Sequence, residues 1–193
     1  TKLFNESLKE KQIMKLTQVK KARGRAVQYL KRAHIAITPK ERANIEIADF
    51  GLNDLKNIGL EIVVYENNDR YCAKELILFP RQTCPEHRHP KLSEQYIGKQ
   101  ETFRCRWGRV YVYVEGEATP RPKAKLPEQY KKYATAWHEI ILKPGEQYTL
   151  KPNSLHWFQA GEEGAIVSEF SSTSFDESDI FTNPNIKRLP MYE

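Results

Sequence analysis

The chain is poor in cysteine. Cys72, Cys84 and Cys105 make an odd number in 193 residues, with no C-x-x-C spacing. That excludes a disulfide framework and a thiolate zinc site, and it fits buried thiols in a reducing, cytoplasmic compartment. Long apolar runs are missing as well. No stretch comes near the roughly 20 residues that a membrane-spanning helix needs. No apolar segment follows the basic first residues, as a secretory signal would require. Internal repeats and low-complexity tracts do not stand out. What is there excludes a disordered chain: 39% of residues are hydrophobic and 11% aromatic, enough to build a core at this length.

The formal net charge is +6, from 31 Lys+Arg against 25 Asp+Glu. Residues 1–32 hold ten Lys or Arg and two Glu, a net of +8, while the other 161 hold 21 and 23, a net of −2. The basicity therefore belongs to one segment. No helix-turn-helix, aromatic-interleaved basic sheet or zinc pattern accompanies it, so it reads as the solvated face of a helix and not as a nucleic-acid surface.

One domain, residues 1–193, is expected in two parts. Residues 1–58 read as helical: Leu16, Val19, Ala22, Ala26, Tyr29, Leu30 and Ala33 recur at three- and four-residue intervals with Lys and Arg between. Thr38-Pro39-Lys40-Glu41 carries a capping residue, a Pro at the first helical position and a Glu able to close a capping box. Over residues 59–193 the period becomes two. Strands are expected at 60–66, 71–79, 101–107, 110–114, 137–142, 147–150, 156–160 and 165–171, with Gly, Pro or Asn between most of them. Many short strands at close spacing predict a mainly β sandwich or small barrel. Residues 118–133, with three prolines, read as a long loop, and the C-terminal residues from Phe175 as a wrap around the barrel.

Chemistry concentrates on the histidines. His87 and His89 form an H-x-H pair, and alternate residues of a strand share a face, so both rings can address one ion. Glu101 begins an expected strand whose alternate residues are Phe103, Cys105 and Trp107, which puts its carboxylate on the inward face, where it needs a partner or a metal. His156 shares parity with Phe158 and Ala160 on another strand. Three imidazoles and a carboxylate suit Mn, Fe, Co, Ni or Zn and not Cu(I).

This order of residues resembles the cupin family: His87-Arg88-His89, Glu101 and Gly108 match its first signature, and Gly145, Pro152 and His156 its second. Glu94 occupies the place of the Glu in more closely spaced cupins. Glu101 is preferred because it has the strand context and the following Gly108. The strings EHRHP, GKQETFRCRWGRVYVYVEGE, HEIILKPGEQYTLKPNSLHWFQAGEEGAIVSEFSS and DIFTNPNIKR are similar to the D-lyxose isomerases, over roughly residues 80–188. That resemblance implies a jelly-roll barrel preceded by α-helices, with Mn²⁺ held by His87, His89, Glu101 and His156. It implies interconversion of D-lyxose with D-xylulose and of D-mannose with D-fructose.

Moving a proton between C1 and C2 of an aldose needs a base that reaches both carbons and a donor to the oxygen. Glu169, inward by parity with Val167, is the first candidate for the base. Lys99, one pleat from Glu101, is the second candidate, or the donor. Lys91, Glu94, Asp179 and Arg188 are candidate contacts for sugar hydroxyls, and Trp107 and Phe158 candidate stacking walls. The partner is then a small sugar, with a homodimer expected and neither nucleic acid nor membrane. The alternatives are a cupin sugar-phosphate isomerase, a three-His-one-Glu Fe(II) dioxygenase, and a non-catalytic sugar- or metal-binding cupin.

Overall fold

A computed structural model describes residues 13–193. Of the helical segment expected over 1–58, residues 1–12 lie outside the described residues. The rest contains the two expected helices, α1 (Leu16–Arg32) and α2 (Pro39–Ala43), but also a short strand, β1 (Glu46–Ala48). The capping box at α2 forms as its sequence requires. Glu41 N donates to Thr38 Oγ1 at 3.2 Å, and Thr38 N donates to Glu41 Oε2 at 2.6 Å.

Eight further strands follow: β2 (Leu60–Asn67), β3 (Cys72–Leu78), β4 (Thr83–Arg88), β5 (Glu101–Val114), β6 (His138–Leu142), β7 (Gln147–Leu150), β8 (His156–Ser171) and β9 (Ile180–Phe181). A short helix, α3 (Glu128–Lys131), interrupts the long proline-rich loop, and a single 3-10 turn covers Asp176–Ser178. All strand pairings are antiparallel. β5 and β8 form the spine, paired from Glu101↔Ser171 to Val114↔His156. Along the other edge of β8, β3 takes the C-terminal half and β4 the N-terminal half. The sheet curls into a half-barrel. The mainly β barrel preceded by helices, implied by the sequence, is what forms.

Two pairs of expected strands are each one long strand. The sequence reads 101–107 with 110–114, and 156–160 with 165–171, as separated by glycine turns. The ladder instead runs through with bulges between Cys105 and Trp107 and between Gly108 and Val110. Gly108 (φ +71°) and Gly164 (φ +96°) face each other there. A Cβ on Gly108 would come within 2.1 Å of Gly164 O, so these glycines allow a close backbone approach inside a bent ladder.

The first bulge also overturns an expectation. Alternation places Trp107 on the inward face with Glu101, Phe103 and Cys105. The extra residue before it inverts the parity, and Trp107 packs outside the barrel, edge-on to Tyr29 of α1 at 5.4 Å between ring centroids. It is no substrate platform. The outer layer that it joins buries Val19, Ala26 and Leu30 of α1 against Ile47, Val63, Ile77 and Ile166. The Val, Leu and Ile side chains among these are each worth about 1.5–3 kcal/mol when fully buried, which is how the apolar stripe of α1 holds the helix to the sheet. Inside the barrel, Leu60, Ile62, Leu76, Phe103, Val112 and Phe158 belong to a second core, above which the barrel mouth turns polar.

Candidate active site

The three histidines reach one point from two strands. His87 lies on β4, His89 just beyond its end, and His156 opens β8, directly paired with His87. Their ligand nitrogens lie within 4.8 Å of one another, and all three residues are buried. Each ring is oriented through Nδ1. His87 Nδ1 donates to Pro85 O at 2.8 Å, and His156 Nδ1 donates to Ser154 O at 3.0 Å, in both cases the carbonyl two residues back. A carbonyl only accepts, so each ring carries a proton on Nδ1, and in the neutral tautomer its Nε2 is left to accept. His89 Nδ1 donates to Asp179 Oδ1 at 2.5 Å. The Phe181 ring stacks on His87 at 5.2 Å.

Glu101, the first residue of β5, points into the same space. Its Oε1 is 3.1 Å from both His89 Nε2 and His156 Nε2. His156 Nε2 is buried and has no hydrogen-bond partner among the described residues. At 3.1 Å it lies within ion-pairing distance of the Glu101 carboxylate, and the two atoms together could address one cation. Burial and the neighbouring His156 and His89 push the His87 pKa well below the ordinary value, keeping that ring neutral. Burial lowers that of His89 as well, but Glu101 and the hydrogen bonds to Asp179 and Glu101 outweigh it and lift the group to about 9. Three clustered imidazoles that could hold a metal ion, with the Glu101 carboxylate beside them and Asp179 behind His89, offer donors of the kind that suit a hard or borderline divalent ion.

Lys99 enters beside this cluster. The loop before it passes so close to His89 that residue 98 must be glycine: its φ is +110°, and a Cβ there would meet His89 O at 2.7 Å and Asn153 N at 2.8 Å. The Lys99 side chain is 2% exposed, with Nζ 2.8 Å from Glu101 Oε2 and 2.5 Å from Glu169 Oε1. Burial alone would lower the lysine pKa. Glu101 and Glu169 reverse that and raise it well above the ordinary value, so the ammonium persists. Burial likewise works against the Glu101 carboxylate, but Lys99 and His89 hold its pKa well below the usual range. Glu169 lies on β8, between Phe103 and Lys74 in the ladder. Its two hydrogen-bonding partners, Lys99 and Ser171 (3.3 Å), both address Oε1, which leaves Oε2 uncommitted among the described residues.

His87, His89, Lys99, Glu101 and Glu169 line a cavity of about 390 Å³, its mouth included, together with Phe158, Asp179, Phe181 and Arg188. Of the residues expected to meet a sugar, Phe158 is therefore in the wall. Asp179 is committed to His89, and Arg188 is bonded to Asp176 and Glu46. Lys91 and Glu94 are exposed and paired with each other at 2.5 Å, outside the cavity, because the loop after His89 turns away to solvent before returning at Gly98. That placement also removes Glu94 from contention as a ligand. Two charged cavity groups, Lys74 and Asp176, escaped the sequence reading. Lys74 shares strand parity with inward Leu76, a signal that alternation offers. Asp176 sits in an irregular segment with no such signal.

The barrel and its histidine cluster define the class: this is a cupin-type protein. The same fold occurs in L-ribose isomerase of Cellulomonas parahominis, with a TM-score of 0.77 at 14% identity, over 94% of this chain and 99% of that one. The D-lyxose isomerase family pattern matches residues 29–193. The chain is 66% identical over 172 residues to a D-lyxose ketol-isomerase of Thermofilum sp. (strain ex4484_79), covering 89% of this chain and 95% of that protein. It is 64% identical over 181 residues to a D-lyxose/D-mannose isomerase of Thermosediminibacter oceani, covering 94% and 99%. The chain belongs to the D-lyxose isomerase family.

Proposed function

We propose that this protein is an aldose–ketose isomerase acting on free sugars, converting D-lyxose to D-xylulose and D-mannose to D-fructose. The observation that carries the reading is Glu169: a buried carboxylate with one oxygen fixed by Lys99 and the other open to the cavity, beside the three histidines and Glu101. His87, His89, Glu101 and His156 would hold a divalent ion, Mn²⁺ in the first instance and Co²⁺, Ni²⁺, Fe²⁺ or Zn²⁺ as substitutes. Such an ion, when bound, supplies Lewis-acid polarisation of neighbouring sugar oxygens. Glu169 Oε2 takes the proton from C2 of the open-chain aldose and returns it to C1. The Lys99 ammonium gives a proton to O1 as negative charge develops there, and recovers one from the C2 hydroxyl, so the proton count closes. The bond from Lys99 to Oε1 keeps the other Glu169 oxygen aimed at the substrate.

The charge of the cavity favours a neutral sugar over a sugar phosphate. Among the described residues, Lys99, Lys74 and Arg188 are each paired with carboxylates, which leaves none of the three as an unbalanced positive charge for a phosphate group. A dioxygenase would have no use for the Lys99–Glu169 pair. A homodimer and a cytoplasmic site of action complete the proposal. Three buried free thiols support the reducing compartment, and exposed Tyr65, Tyr71 and Phe170 support a covered outer face.

The test is product analysis with free aldoses and added Mn²⁺, using Glu169→Gln as the diagnostic variant. That variant should bind Mn²⁺ as the parent does and lose turnover by roughly 10²–10⁴-fold, the range for a positioned general base. Near-full activity in Glu169→Gln would remove the base from this position.

A further inference from the structure

The cavity wall contains a second set of charged groups, which the steps above do not use. Lys74 (β3), Asp176 (the 3-10 turn) and Arg188 (the C-terminal segment) all line it. Lys74 Nζ donates to Ser174 Oγ at 3.1 Å and to the two oxygens of Asp176 at 3.1 and 3.2 Å. Arg188 donates through Nη2 to Asp176 Oδ2 at 2.6 Å and through Nη1 to Glu46 Oε1 at 2.5 Å. Two cations alternate with two carboxylates, so the ladder is neutral. It begins beside the reacting groups, since Lys74 is the direct cross-strand neighbour of Glu169.

As a tether for the C-terminal segment alone, this ladder is a poor choice. The Lys74 side chain is 4% exposed, and its same-face neighbour on the strand, Leu76, is apolar. A buried ion pair stabilises no better than a well-packed apolar contact of the same volume. The geometry also leaves hydrogen-bonding capacity unused. The two oxygens of one carboxylate subtend a far smaller angle at Nζ than two N–H bonds do, so Asp176 takes a single shared proton. Ser174 takes a second, so the third N–H of Lys74 has no partner among the described residues, and Lys74 lines the cavity.

Elimination gives that partner its identity. With C1 and C2 of an aldose at Glu169 and Lys99, the remaining hydroxyls must lie in the same cavity. Its other lining is largely apolar: Phe50, Leu60, Ile62, Leu76, Phe103 and Phe158. A sugar hydroxyl needs both a donor and an acceptor, and the ladder supplies both with no net charge. We infer that Lys74, set by Asp176 and Arg188, reads the terminal hydroxyl of the open-chain sugar and is a specificity-determining residue. The inference rests on the isomerase reading. A site built to hydrogen-bond a hydroxyl discriminates against an analogue that lacks it much more than an apolar pocket does.

The experiment compares kcat/KM for D-lyxose and 5-deoxy-D-lyxose in the Mn²⁺-loaded protein, first for the parent and then for Lys74→Met and Asp176→Asn. The parent should prefer D-lyxose by at least about tenfold, the range for a hydrogen bond from a charged donor. In Lys74→Met that preference should shrink to about threefold or less, through loss on D-lyxose with 5-deoxy-D-lyxose much less affected. A parent that turns over both sugars equally overturns the inference without recourse to any variant. So does a Lys74→Met protein that slows on both to the same extent, the behaviour of a purely structural ladder. A parent inactive on every free aldose removes the isomerase reading and this inference together, an outcome distinct from equal turnover.

Discussion

The Lys99 ammonium is bonded to Glu169 at 2.5 Å in a setting where both side chains are almost wholly buried. The same nitrogen is bonded to Glu101 at 2.8 Å, so one positive charge separates two buried carboxylates. Removing it leaves like charges facing each other without solvent. Lys99→Met should cost about 3 kcal/mol or more, the scale for deleting one partner of a buried pair. Neutralising the opposed carboxylate should return much of that: the double variant Lys99→Met/Glu169→Gln should be more stable than Lys99→Met, and inactive. Urea unfolding of the parent, both single variants and the double variant closes this cycle. A Lys99→Met protein as stable as the parent would show that the ammonium is not what holds the carboxylates together.

Asp179 acts on the site through His89. Its carboxylate accepts the Nδ1 proton at 2.5 Å, which directs Nε2 into the histidine cluster. It reaches that position because β9 pairs with β4, and because Thr182, just beyond β9, is held by Glu86: Thr182 Oγ1 donates to Glu86 Oε1 at 2.7 Å. Groups of this kind typically change metal affinity 10- to 100-fold when substituted. Asp179→Asn is expected to weaken Mn²⁺ binding by about tenfold or more with little change in fold, measured by competition against a chelator of known affinity. Unchanged affinity would mean that the hydrogen bond orients a ring that needs no orienting.

The convergence of His87, His89, Glu101 and His156 was legible because strand alternation and spacing are local properties of the chain. So were Glu169 and Lys99, whose parity with inward neighbours survives in the fold. Trp107 was not, because a bulge depends on how two strands meet and is invisible in either one alone. The contacts of Asp179, Asp176 and Arg188 depend on the path of an irregular segment across the barrel mouth, and no periodicity encodes such a path. β4 escaped for a related reason: Pro85 and four polar residues among its six mask a strand whose inward face is the histidine site.

Two glycines should respond in opposite directions to alanine. At Gly108 the φ of +71° is unfavourable for an L side chain, and the new Cβ would lie 2.1 Å from Gly164 O, part of a backbone that cannot yield locally. Gly108→Ala should destabilise by about 3 kcal/mol or more, since left-handed backbone alone costs roughly 1–2. Gly24 lies exposed within α1, and a Cβ there would meet nothing within 4 Å. Gly24→Ala should stabilise by about 0.5–1 kcal/mol through helix propensity. Denaturant midpoints for the two variants decide the matter, and a neutral Gly108→Ala would mean that the bulge is not set by that glycine.

Glu61 is a buried acid remote from the proposed chemistry. It accepts from Gln82 Nε2 at 3.1 Å through Oε1, and its Oε2 has no partner among the described residues. Burial pushes its pKa up to about 8 from an ordinary 4.5, and Gln82 and Arg25 offset only part of that rise. Between those values the folded chain holds a proton that the unfolded chain has released, so the unfolding free energy falls as pH increases. The contribution is fully present below pH 4.5 and lost as pH rises through 8. Glu61→Gln keeps an acceptor for Gln82 and removes the titration. Its stability relative to the parent should therefore improve steadily from pH 5 to pH 9, by about 2 kcal/mol or more across the range. Urea unfolding at pH 5, 7 and 9 reads this directly. A difference between the two proteins that stays constant with pH would place the ionised form of Glu61 in the folded chain throughout, and with it an undetected counter-charge at Oε2.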